Sequence, residues 1–89
     1  MIELRNQTLE NIINASDMMQ VEQIIETSIN TLKNNKTNDF IIIRFLSKLE
    51  MSLKEIQRLQ VNTNRTGNLK DAIQYINQHD LNKIKFDTN

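Results

Sequence analysis

The sequence predicts an all-α fold: a small bundle of three to four helices, with an antiparallel helical hairpin and one long amphipathic helix. Three observations carry that expectation. There is no Pro and a single Gly, Gly67, among 89 residues, so the residues that break helices and punctuate turns are almost missing. Apolar residues recur at spacings of three and four, the period of a helix with one buried face. The longest such stretch shows no strand-like alternation. A chain of this length forms one domain, 1–89, with no room for a second core. It has no Cys and one His, which excludes disulfides, thiolate metal sites and multi-histidine sites within one chain. Tight helix packing or self-association is then the remaining source of extra stability.

The first helix is expected over about 2–14, with Ile2, Leu9, Ile12 and Ile13 near one side. Asn14-Ala15-Ser16-Asp17 reads as a loop rich in capping residues. Ser16 or Asp17 caps a second helix over 17–34, and Gln20, three residues past Asp17, supports the latter. That helix carries Met18, Val21, Ile25 and Leu32 on a heptad-like seam, flanked by Ile24 and Ile29, with Ser28 at the missing seam position. Residues 34–38 are a polar connection, short enough for an antiparallel hairpin.

The third helix, 39–61, is the strongest signal. Ile42, Leu46, Leu49, Leu53 and Ile56 alternate spacings of four and three, and Phe45 and Leu59 widen the stripe. Val21, Ile25, Leu32, Ile42, Leu46, Leu49, Leu53 and Ile56 are therefore the candidate core or dimer interface. Residues 62–68 read as a loop, with Asn68 capping a fourth helix over 69–78. Leu69, Ala72, Ile73 and Ile76 form its inner face, and it stops near His79. The tail, 80–89, offers Leu81, Ile84 and Phe86 for docking as either a turn or a strand. Ile41, Ile43, Met51 and Tyr75 are apolar residues off the main stripes.

Net charge is zero, but unevenly spread. Residues 1–32 hold one basic side chain (Arg5) against five acidic ones, whereas residues 33–70 hold eight basic against three acidic. On a helical wheel Arg44, Lys48, Lys54 and Arg58 share an arc of about 120° opposite the apolar stripe. Such an arc is first of all a solvated outer face, and Glu55 falls within it. With Arg65 and Lys70 it is also the candidate interaction or phosphate-contacting face. In an oligomer, the acidic second helix of one copy could face this basic helix of another.

Reaction chemistry is thin. His79 sits where a helix end favours a cation, without a recognisable nucleophile context. Glu22 and Glu26 share a helix face, but the further Glu residues and Glu-x-x-His motifs of a carboxylate metal bundle are missing. There is no Gly-rich phosphate loop, nucleophile elbow or zinc-ligand spacing. No enzymatic activity, metal or cofactor is expected. The longest apolar run, residues 40–43, is too short to span a bilayer, and the first residues lack signal-peptide character, so a cytoplasmic location without membrane insertion is expected.

Ser52-Leu53-Lys54-Glu55 is a capping box flanked by Met51 and Ile56, which would split the third helix near Ser52. The surrounding run, residues 45–59, resembles the helix-turn-helix junction of MerR-type regulators, where Leu-Gly-Phe/Met-Ser-Leu-x-Glu-Ile makes the turn. Glu50 stands where that family has its helix-ending Gly, and the family's N-terminal recognition region has no counterpart. The resemblance implies a broken helix and DNA binding. The unbroken heptad implies a continuous helix. The expected function is accordingly a small non-enzymatic protein–protein interaction module, a regulator or adaptor acting as a homodimer, with a DNA-binding regulator as the alternative.

Overall fold

Four helices form where apolar periodicity places them: α1 (Ile2–Ile13), α2 (Met18–Asn34), α3 (Asp39–Leu59) and α4 (Thr66–Gln78). They are seen in a computed structural model that describes residues 2–59 and 66–79. The expected last turn of α3 to residue 61, the site of Arg65 and the tail 80–89 lie outside the described residues.

Local chemistry sets the helix ends. Asp17 is extended, and its side chain accepts a hydrogen bond from the Gln20 amide at 2.8 Å. The Gln20 side chain reaches back to accept from the Ser16 amide at 2.5 Å, so two amide donors at the N-terminal edge of α2 are satisfied reciprocally. At the other end Lys36 adopts a left-handed φ of 60°. The amides of Thr37 and Lys36 donate to the carbonyls of Leu32 (3.0 Å) and Lys33 (2.9 Å), which closes α2 in a Schellman motif. Asn38 opens α3 at once, its side chain accepting from the Phe40 amide at 2.7 Å.

Ser52 lies inside α3, with helix on both sides. The break implied by the capping box and by the MerR-type resemblance is therefore not made. Glu50, where a helix-ending Gly would be needed, instead pairs with Lys54 one turn on. α4 begins at Thr66, earlier than expected. Asn68 does not cap it. Its side-chain amide lies in the first turn and donates to the carbonyl of Ala15 at 2.8 Å and toward that of Ile13 at 3.5 Å, tying α4 to the α1–α2 turn.

The core is continuous through all four helices. Val21, Ile25 and Leu32 of α2 and Ile42, Leu46, Leu49 and Leu53 of α3 are buried within a single chain, with Ile12, Ile29, Leu69, Ala72 and Ile76. Ser28 fills its seam position because its hydroxyl donates to the Ile25 carbonyl at 2.6 Å, which removes the cost of burying it. The outer limits of the stripes differ from expectation. Ile56 is only half-buried and Leu59 is exposed. A strict four-three spacing drifts by about 20° per heptad on a straight helix, so two heptads after Ile42 the stripe reaches the edge of the core: Ile56 still packs against it, while Leu59 faces solvent. Met18 is exposed in the first turn of α2, as is Ile2 in α1. Conversely Ile43, off the main stripe, is buried, and Tyr75 is half-buried.

Close backbone approaches run from α4 to α3 and α2, and from α1 to α2, α3 and α4. The sequential pair α2–α3 is linked by the short polar connection but meets only weakly, so the hairpin is splayed and filled by α1 and α4. Among the described residues no helix is long and apolar enough to cross a membrane.

Candidate interaction surface

The outer face of α3 keeps its basic residues in solvent, as the wheel requires: Arg44, Lys48, Lys54 and Arg58 are all exposed. They are not equivalent. Lys54 pairs with Glu50 at 3.0 Å, and Arg58 donates to both oxygens of Glu55 at 2.6 and 2.7 Å. Exposed helix pairs of this kind add little stability, but they cancel charge. The C-terminal half of the basic stripe is therefore neutralised along its own helix.

Arg44 and Lys48 have no such carboxylate. They share a cleft with Arg5 of α1, over a floor of Ile2, Ile41 and Phe45. Packing of α1 against α3 brings Arg5 there. Among the described residues no acidic side chain lines this cleft. The Nε–H of Arg5 is shielded from solvent and has no hydrogen-bond acceptor among the described residues. The apolar character extends past the cleft: Phe40 and Met51 are 68% and 69% exposed on the same helix, and on a wheel at about 100° per residue both fall on the side of Arg44. The structure thus joins Arg44 and Lys48 to Arg5, leaves Lys54 and Arg58 in local pairs, and sets Lys70 apart in a shallow groove with Gln57 and Gln74.

Arg5 is the residue that sequence reasoning missed. Its only signal is that it is the one basic residue in the acidic first third of the chain.

The acidic side of the molecule is arranged differently. The outer face of α2 carries Met19, Gln20, Gln23, Thr27, Asn30 and Thr31, all exposed and none charged. Glu26 turns instead toward α4, where it accepts a hydrogen bond from the Tyr75 hydroxyl at 2.5 Å and lies 2.8 Å from His79 Nε2. The edge of the Tyr75 ring meets His79, with centroids 5.9 Å apart. Burial alone would raise the Glu26 pKa. Hydrogen bonds from Tyr75 and His79, with the charges of His79 and Lys33, outweigh it and hold the carboxyl below its ordinary value. The Tyr75 hydroxyl is pushed up by burial, by its bond to Glu26 and by the carboxylates of Glu26 and Glu22. The group clips α2 to α4. It gives His79 a carboxylate neighbour in addition to its helix-end position. Among the described residues no three metal-capable side chains come together.

Comparison with known proteins returns no similarity at any of three levels: no family model, no curated protein and no solved structure matches the chain.

Proposed function

We propose that this chain is a non-enzymatic interaction module of the cytoplasm, a small regulator or adaptor that binds another protein through the N-terminal half of α3 and the adjoining start of α1. The observation that supports it is the division of the basic stripe. A face built to track a phosphate backbone keeps its cations free, because affinity scales with phosphates neutralised. Here Lys54 and Arg58 are engaged by Glu50 and Glu55, whereas Arg44 and Lys48, without an acidic partner among the described residues, are interleaved with Ile41 and Phe45. Apolar area ringed by charge is the composition of a protein-binding patch.

Self-association is a second reading. Asp17, Met18 and Met19 are exposed at the start of α2 and give an acidic, apolar knob of the chemistry that the cleft lacks. Seating it in the cleft of another copy is a heterologous contact, and closing that into the expected homodimer requires the two contacts to be related by a two-fold axis.

Binding of the full chain to a duplex and to candidate partners, measured by fluorescence anisotropy at about 50 and about 200 mM salt, tests the reading against the DNA alternative. Tight duplex binding at low salt that falls by roughly 0.9 log unit per log salt for each phosphate contacted would replace protein binding with nucleic-acid binding. Weak duplex binding, with partner association lost on Arg44→Glu and Lys48→Glu together, is the expected result.

A further inference from the structure

The cleft specifies more than a protein partner in general. We infer that it is a docking site for an acidic amphipathic segment of another protein, which seats one large apolar side chain on Ile2, Ile41 and Phe45 and turns carboxylates to Arg5, Arg44 and Lys48. This rests on the protein-binding reading and supplies its chemistry.

Charge complementarity is the first argument. Three cations line the cleft and, among the described residues, no carboxylate does, whereas the other cations of α3 described above have acidic partners one turn away. Grouping like charges around an apolar floor is unfavourable in the free protein, and an incoming carboxylate relieves it. A guanidinium is also the group best suited to grip a carboxylate.

Dimensions favour a peptide over a small anion. Ile41, Phe45 and Lys48 follow one another at i, i+4 and i+7 along α3, a span of about 10 Å. Exposed Phe40 and Met51 flank Arg44 and Lys48 on the same helix beyond both ends of that span, where a peptide reaches them and a small carboxylate does not. An isologous contact with a second copy through this same face would set three cations against three.

The test uses the isotope-labelled full chain and a synthetic helical peptide with Leu and Glu repeated at i, i+4. The same peptide with Gln for every Glu, decanoate and a short DNA duplex are titrated in parallel, and backbone amide shifts are followed. The expected result is saturable shifts centred on Arg5, Ile41, Arg44, Phe45 and Lys48 with the Glu peptide. Affinity should fall roughly tenfold or more in the Arg44→Glu, Lys48→Glu double variant, the scale on which reversing contacting charges acts. It should be retained in Lys54→Gln, Arg58→Gln. Arg44→Gln alone serves the same purpose if the double variant does not fold.

Equal binding of the Gln peptide would overturn carboxylate recognition. Stronger binding of decanoate than of the peptide would make the cleft a small-anion site. Concentration-dependent shifts of the same residues without any peptide would assign the cleft to a second copy. Peptide shifts confined to another face would overturn the docking site while leaving protein binding intact. Absence of any peptide response would overturn the inference. Duplex binding at these same residues would overturn both it and the reading on which it rests.

Discussion

Lys36 holds a left-handed backbone at the end of α2 that a side chain tolerates poorly. Lys36→Gly keeps both motif hydrogen bonds and removes that strain, so it should stabilise the protein by about 0.5–1 kcal/mol in chemical denaturation. Gly67, the residue with the conformational freedom, has no positive φ and lies in the first turn of α4. Its presence points to a loop when read from sequence, and the same misreading made Asn68 a cap. The bonds of Asn68 to Ala15 and Ile13 span more than fifty residues and leave no local trace. The Glu26–Tyr75 bond is equally non-local. Tyr75→Phe should cost about 1 kcal/mol, below the usual range for a bond to a charged group because both partners are partly solvated. The pH dependence has a definite sign. A carboxyl held below its ordinary 4.5 in the folded state contributes stability that is present above that value and lost as pH falls through the folded one. The destabilisation caused by Glu26→Gln should therefore be full near neutrality and shrink as the pH is lowered below about 4.5.

At the scale of elements, the two accounts of α3 make opposite forecasts for one substitution. In a continuous helix Ser52 is a weaker helix former than Ala, so Ser52→Ala should be neutral or stabilising by up to about 0.5 kcal/mol. Were Ser52 a cap, the same change would cost about 1 kcal/mol. The drift of the stripe is open to the same kind of test. Leu53→Ala, at a fully buried position, should cost about 2–5 kcal/mol. Ile56→Ala, at a half-buried one, should cost less than half as much as the Leu53 change. Helix identities and most core positions were legible because 3.6-residue periodicity is a local property of sequence. The late residues of the stripe were not, since the spacing pattern does not say where along its length a helix leaves the core. Nor was the splayed α2–α3 pair: a short connection constrains two helix ends, while the packing of α1 and α4 decides what happens between them.

For the whole molecule, the proposed function depends on a surface that no single segment encodes. The basic arc of α3 is visible on a wheel. Its division is visible only when Glu50 and Glu55 are seen to engage Lys54 and Arg58, and the cleft exists only because the start of α1 folds against α3 and delivers Arg5 and Ile2. The same fold engages Glu26 of α2 with Tyr75 and His79, while Met19, Gln23, Thr27 and Asn30 on the exposed side of that helix carry no charge. An acidic second helix of one copy facing the basic third helix of another would draw on exposed Asp17 and half-buried Glu22, with Glu26 already engaged by Tyr75 and His79. On the proposed function, partners dock at the start of α3. Site-specific photo-cross-linking in the native cell tests it most directly, with a cross-linking side chain placed in turn at Phe40, Ile41, Gln23 and Gln74, all exposed. Docking there should give discrete protein adducts from positions 40 and 41 that vanish when Arg44→Glu and Lys48→Glu are introduced. Adducts arising only from positions 23 or 74, or adducts at 40 and 41 that survive the charge reversal, would contradict it.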